Sequence, residues 1–174
     1  EELYEDISSG TRIDINFAVL TLVSTVVATL GLNGDNVAVI IGAMVIAPLL
    51  GPNLAFSLGV ALGDVKLMQR AALAALAGVA MTLALSAALG LVVPVNLDSA
   101  ELVRRTHVWY GDVVLALASG VAASLSVTSR LASTLVGVMV AVALMPPAAT
   151  AGFLFGAGYY ASATGALILV ITNV

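Results

Sequence analysis

The chain has 174 residues, of which 61% are hydrophobic and only 9% are charged. Six Lys and Arg and ten Asp and Glu cannot cover a water-facing globule of this size, because soluble domains are about one quarter charged, so the composition predicts an integral membrane protein with the lipid bilayer as a partner. The net charge of −4 argues against nucleic acid as a partner. The single His argues against a His-cluster metal site, and the lack of Cys argues against a disulfide framework.

The N-terminal segment 1–14 is strongly polar and carries four acids before its first base. It has neither a basic n-region nor a small-residue cleavage site, so we do not interpret it as a signal peptide. We expect it to be a polar linker or amphipathic helix that forms the end of a missing soluble N-terminal domain.

Six apolar runs follow this segment, and we predict an all-α, polytopic membrane protein with six transmembrane helices. A spanning helix needs about 20 mostly apolar residues. The runs cover 15–32, 37–62, 67–93, 113–127, 131–158 and 161–174, and a polar extramembrane loop at 94–112 separates the first three from the last three.

The distribution of Lys and Arg predicts the orientation of these spans. If the helices alternate, one side receives four bases and the other receives two; the four are Arg12, Lys66, Arg70 and Arg130, and the two are Arg104 and Arg105. We therefore expect a multi-pass protein of the plasma membrane with a cytoplasmic N-terminus.

An internal repeat relates the two sets of three runs. When residues 19–55 are laid on residues 114–150 without gaps, 12 of the 37 positions are identical, including Gly42 with Gly137 and Pro52 with Pro147. Because each repeat, 15–93 and 113–174, holds an odd number of spans, the two must have opposite orientations in the membrane, as in many secondary transporters. The alternative is that apolar helices resemble one another by composition.

Prolines interrupt the second and the fifth run at matching places in the repeat. Pro48 and Pro52 flank Gly51 in the second run, and Pro146 and Pro147 lie in the fifth. Since proline removes a backbone donor and clashes with the carbonyl four residues earlier, we expect helices 2 and 5 to be broken near mid-membrane. The alternative is a kink, which is common at proline in membrane helices.

Free backbone groups at such breaks coordinate ions or anionic groups in transporters. We therefore place a candidate substrate or ion site at the two breaks, formed by Ala47, Pro48, Gly51, Pro52, Asn53, Ser57, Met145, Pro146, Pro147 and Thr150. Asp35 and Asp112 border apolar runs and are either cap residues or, if they point into the bundle, candidates for an ion or proton site. The sequence carries no catalytic constellation in its apolar runs, so we expect no enzyme, no catalytic residue, no metal and no cofactor.

The segments GAMVIAPLLGP and ALMPPAATAG resemble the DUF389 family, an uncharacterised hydrophobic-domain family of bacteria and archaea. The motif residues here are Gly42, Ala43, Met44, Pro48, Gly51, Pro52, Pro146 and Pro147, and the resemblance covers nearly the whole chain. It implies a multi-span hydrophobic domain, in many members behind a soluble N-terminal domain, but it implies no substrate.

These observations favour a transporter or channel for a small solute or ion, with its site at the broken helices. The alternative is a non-transporting membrane module that anchors and oligomerises a soluble sensory or regulatory domain. In either case the small residues of the helices favour close packing and a homo-oligomer.

Overall fold

The computed structural model describes residues 2–106 and 133–173, together with positions 111, 114, 117, 118 and 121. All regular structure in these residues is helical, which confirms the predicted all-α class. The helices are α1 (Glu2–Ser9), α2 (Ile15–Asn33), α3 (Val37–Ile46), α4 (Leu50–Leu62), α5 (Val65–Val92), α6 (Ala100–Arg104), α7 (Ser133–Gly156) and α8 (Tyr160–Asn173).

Short polar side chains cap the start of three apolar helices and explain where these helices begin. The carboxylate of Asp14 accepts the Phe17 amide of α2 at 2.7 Å, and that of Asp64 accepts the Leu67 amide of α5 at 3.0 Å. Asn36 caps α3 in the same way. Each cap satisfies an amide that has no partner inside the helix, so the polar residues between the apolar runs are the boundaries of the helices.

Helices α2 and α5 are each long and apolar enough to cross a membrane, and α3 with α4 make a third candidate if the bent pair is one span. Shorter apolar helical segments cover Leu144–Gly156 in α7 and Tyr160–Thr172 in α8. Membrane association is thus supported, whereas six spans remain a prediction. The predicted fourth span lies outside the described residues, apart from the isolated positions 114, 117, 118 and 121.

The prolines of the second and the fifth run have different effects, so one predicted break is confirmed and the other is wrong. The second run divides into α3 and α4, whose axes differ by 57°. In the fifth run, α7 continues through Pro146 and Pro147. Every residue from Leu144 to Leu154 is buried, and tertiary packing of this kind holds a helix together despite the two backbone hydrogen bonds that the prolines remove.

Glycines bring α5 and α7 into close contact along a seam. A Cβ on Gly152 would clash with Leu83 and Ser86, and a Cβ on Gly156 would clash with the carbonyl of Ala87. The contacts advance in the same direction along both helices, so α5 and α7 run parallel. The main apolar core lies between this pair and helices α2 and α3, and Phe153 is one of its largest fully buried side chains.

The polar segment after α5 returns to the turn between α2 and α3. Asn33 donates to the carbonyl of Pro94 at 3.0 Å, and its own side-chain oxygen accepts the amide of Asn96 at 2.7 Å. The hydroxyl of Ser99 donates to the carbonyl of Leu32 at 2.6 Å. These bonds satisfy polar groups at the C-terminal end of α2 and tie the ends of α2 and α5 together.

Candidate functional site

The break between α3 and α4 is produced at Ala47 and Pro48. Ala47 is extended (φ −64°, ψ 124°), as expected for a residue before proline, where the ring disfavours the helical conformation. Helix α4 then begins at Leu50 and places Pro52 in its first turn. Proline is tolerated there because an amide in the first turn has no partner inside the helix.

The break is buried rather than exposed on the surface of the bundle. Ala47 is 9% exposed and Leu49 is 4% exposed, while Pro52 is fully buried. The Leu49 side chain packs beside Gly78, at the middle of α5. Leu49, the N-cap of α4, makes no side-chain cap hydrogen bond, unlike the N-cap residues of α2, α3 and α5.

The structure brings the two predicted halves of the site together. Ala47 and Leu49 of the break share one core cluster with Leu144, Met145 and Ala148 of α7. The second half of the site therefore lies in the same core as the break, and α7, although unbroken, contacts both α3 and α4. Pro146, Pro147 and Thr150 lie in the same buried stretch of α7.

A cavity of about 510 Å³ lies beside the break, between α4, α5, α7 and α8. Leu49 and Asn53 line it from the break, Leu144 lines it from α7, and Val170 lines it from α8. Asn53 is the only polar side chain among the described residues of this wall. It is half-buried, and among the described residues no hydrogen bond reaches its amide group.

The remaining predicted residues have local or unassigned roles. Ser57 is exposed and its hydroxyl donates to the carbonyl of Asn53 at 3.0 Å. Thr150 is fully buried, and its hydroxyl has no hydrogen-bond partner in the described part of the chain. Asp35 is exposed at the end of the bundle, where it accepts the amide of Glu101 at 2.8 Å. Asp112 lies outside the described residues.

The N-terminal segment packs against the start of α4, directly after the break, a contact that no local sequence pattern predicts. Helix α1 runs antiparallel to α4: the Tyr4 hydroxyl donates to Asp64, beyond the end of α4, at 2.7 Å, while Gly10 meets Gly51 at its start. A Cβ on Gly10 would lie only 2.8 Å from the Cα of Gly51. Between these points, Ile7 packs on a small apolar cluster that includes Ala55. We call α1 with residues 10–14 the strap.

The Tyr4–Asp64 hydrogen bond also shifts the titration of both groups. It raises the pKa of the Tyr4 phenol, with some desolvation, and lowers the pKa of the Asp64 carboxyl, which the Leu67 amide lowers further. The sequence signal for the strap is the amphipathic character of 2–9 and the glycine that follows it, but neither identifies α4 as the partner.

Buried hydroxyl groups on α2 and α5 are satisfied within the bundle. Thr21 and Thr29 donate to carbonyls one turn earlier in α2, and Thr25 does so while also lying 3.3 Å from Thr82 of α5. Ser86 bonds to the carbonyl of Thr82 at 2.7 Å. The Thr25–Thr82 contact joins α2 to α5, whereas the other cited bonds lie within one helix, and none of these hydroxyls can bind a ligand without breaking an existing bond.

The protein is thus all-helical in its described residues, with apolar helices long enough to span a membrane and a cavity beside a broken helix pair. The profile of the domain of unknown function DUF389 matches residues 44–174, and the chain belongs to this family. An uncharacterised protein of Methanocaldococcus jannaschii is 39% identical over 173 residues, which cover 99% of this chain and 54% of the relative. The chain thus spans about half the length of that relative. No solved structure matches the chain.

Proposed function

We propose that this chain is the membrane domain of a transporter or channel for a small solute or ion, with its site at the α3–α4 break. The observation that carries the proposal is the buried break itself, beside a cavity. Irregular backbone at membrane depth is tolerated only against protein or a cavity, and transporters place their substrate sites at such discontinuous helices.

The proposal includes the arrangement of the whole domain. Six spans would form two inverted repeats in the plasma membrane, with the N-terminus in the cytoplasm, and the chain would assemble as a homo-oligomer. The parallel course of α5 and α7 supports this arrangement, because the last helix of one inverted repeat and the middle helix of the other point the same way. No catalytic residue, cofactor or nucleic-acid partner has a part in this proposal.

Flux measurements in proteoliposomes test the proposed function. We expect the full chain to accelerate the passage of at least one member of a panel of inorganic ions, small anions and uncharged solutes. Pro52→Ala and Asn53→Ala should change this flux, whereas Ala80→Ser, on an exposed position of α5 outside the cavity, should not. Flux equal to that of protein-free vesicles for every solute in the panel would contradict the proposal.

The relative's greater length favours one alternative, a membrane anchor for a soluble domain. That role needs no solute site, so replacements at Asn53 would be silent, and the chain would still form a defined oligomer. Cross-linking in native membranes combined with the flux panel separates the two functions: an oligomer without flux supports the anchor.

A further inference from the structure

The wall of the cavity beside the break decides which solutes it can hold. The described wall residues comprise eleven apolar side chains and Asn53, and none of them is charged. An inorganic ion in such a place would lose its hydration without a counter-charge or a set of oxygen ligands, which costs far more than binding returns. The wall therefore favours an uncharged occupant with a large apolar part.

Small side chains on α5 create the space. This part of the wall is formed by Ala71, Ala72 and Ala75. Leucine in place of Ala72 or Ala75 would project into the cavity. The volume of about 510 Å³ falls within the range of roughly 300–1,000 Å³ that is typical of small-molecule sites. The cavity is thus large enough for a molecule with about ten heavy atoms or more.

Asn53 gives the apolar wall one hydrogen-bonding position. Its side chain offers two donors and an acceptor, and none of them has a partner among the described residues. One turn earlier, α4 begins at Leu50, and its N-cap Leu49 makes no side-chain cap hydrogen bond. A hydroxyl, an amide or a protonated carboxyl group on the occupant can form a hydrogen bond with Asn53, so the occupant's own polar group would not be buried without a partner.

The mouth of the cavity opens on the apolar exterior. Phe56, Leu76 and Ile171 line the cavity and are also 41%, 66% and 69% exposed. All three side chains are apolar, so in a membrane they would face acyl chains. A solute dissolved in the bilayer can reach the cavity without crossing a polar surface.

We propose that this cavity binds a neutral, mainly apolar small molecule with one hydrogen-bonding group, which enters from the bilayer and bonds to Asn53. The inference rests on the proposed function, because it names the substrate class of that site. It narrows the proposed substrate class from any small solute or ion to an uncharged amphiphile, such as a medium-chain alcohol, amide or protonated acid.

Photolabelling of the full chain in lipid nanodiscs tests the inference. The probe is an octanol derivative with an aliphatic diazirine on its chain, and mass spectrometry identifies the labelled residues. We expect label on Phe56 and Leu76, with 1-decanol displacing it at about threefold to tenfold lower concentration than decane and KCl leaving it in place. Ala75→Leu and Ala72→Leu should each lower labelling about tenfold by filling the cavity, whereas Ala80→Leu, exposed on the same helix, should not.

Asn53→Leu tests the contribution of the hydrogen bond to binding separately from the contribution of the cavity volume. This near-isosteric variant should keep the cavity open but lower the preference for decanol over decane about threefold to tenfold, as expected for one lost hydrogen bond. If Ala72→Leu and Ala75→Leu do not fold, the difference between decanol and decane in displacing the probe from the unmodified chain is sufficient to test the inference.

Three results distinguish this inference from the proposed function. Cavity labelling without flux of any solute would keep the binding site and overturn transport. Ion flux together with absent or non-competable labelling would keep transport and overturn the inference. Labelling spread evenly over exposed apolar faces, and unchanged in folded Ala75→Leu, would also overturn the inference.

Discussion

Asp35 illustrates at the scale of one residue how a candidate site residue can instead support the fold. It has a positive φ of 51°, in the left-handed region that Asn and Asp tolerate better than most residues. Its carboxylate accepts the amide of Glu101 at 2.8 Å and lies 3.3 Å from the hydroxyl of Ser99. From its place in the α2–α3 turn, the Asp35 carboxylate therefore provides a hydrogen-bond partner for an amide in the first turn of α6.

Substitutions at Asp35 separate this structural role from an ion or proton site. Asp35→Asn keeps an acceptor and a residue suited to positive φ, so we expect stability and flux close to those of the unmodified chain. Asp35→Ala loses both and should lower the free energy of unfolding by about 1–2 kcal/mol, the usual cost of a lost cap. Thermal unfolding in detergent and the flux assay measure the two effects. Loss of flux in a stable Asp35→Asn protein would instead indicate that the charge itself is used.

At the scale of elements, the α5–α7 seam depends on glycines that admit the backbone of the neighbouring helix. Gly152→Ala introduces a Cβ against Leu83 and Ser86 and should destabilise the protein by about 1–3 kcal/mol or more. Gly42→Ala is the matched control, because nothing lies within 4 Å of its added Cβ. It should be neutral or gain up to about 1 kcal/mol from helix propensity. Equal unfolding midpoints for the two variants would contradict this seam.

The strap is the element whose stability should depend on pH. The lowered pKa of Asp64 means that its bond with Tyr4 stabilises the fold above the carboxyl's unfolded pKa and is lost as pH falls through the folded value. The raised pKa of Tyr4 means that the same bond is present below the phenol's unfolded pKa, near 10, and is lost as pH rises through the folded value. Between these limits the strap should hold.

Tyr4→Phe should therefore lower the unfolding midpoint between about pH 5 and pH 9, and the difference from the unmodified chain should shrink towards both extremes. Amide hydrogen exchange in 2–10 should also be faster at neutral pH. Tyr159→Phe is the matched control, because Tyr159 is 41% exposed against 39% for Tyr4. A pH-independent effect of Tyr4→Phe, or the same effect in the control, would show that this hydrogen bond does not fasten the strap.

These elements also show which parts of the structure the sequence can predict. The starts of α2, α3 and α5 can be predicted because each apolar run is preceded by a short polar residue that caps the helix. These residues are Asp14, Asn36 and Asp64, and each is a local signal. The break at Pro48 is local too, because the proline acts on its neighbour. The continuity of α7 depends on burial by other helices, so its prolines are misleading. The strap joins residues 41 and 60 positions apart, and no local pattern specifies such a pairing.

For the whole molecule, the length of α5 determines how the domain can sit in a membrane. Its 28 residues extend about 42 Å at 1.5 Å per residue, more than the hydrocarbon thickness of about 30 Å. The two ends of α5 should therefore emerge on opposite sides. The Tyr4–Asp64 hydrogen bond places α1 at the same end as Lys66, so the N-terminus and Lys66 should share one side, which the charge distribution predicts to be cytoplasmic.

Cysteine accessibility tests this arrangement, because the chain has no native cysteine. Lys66→Cys and Asp98→Cys each replace an exposed residue near one end of α5, and Ala74→Cys places a thiol at a fully buried position of the same helix. With a membrane-impermeant maleimide, Asp98→Cys should react in intact spheroplasts, and Lys66→Cys should react only after permeabilisation. Ala74→Cys should stay unlabelled until the protein is denatured. Labelling of both end positions from one side would mean that α5 does not span, whereas reversed labelling would keep the span and place the N-terminus outside.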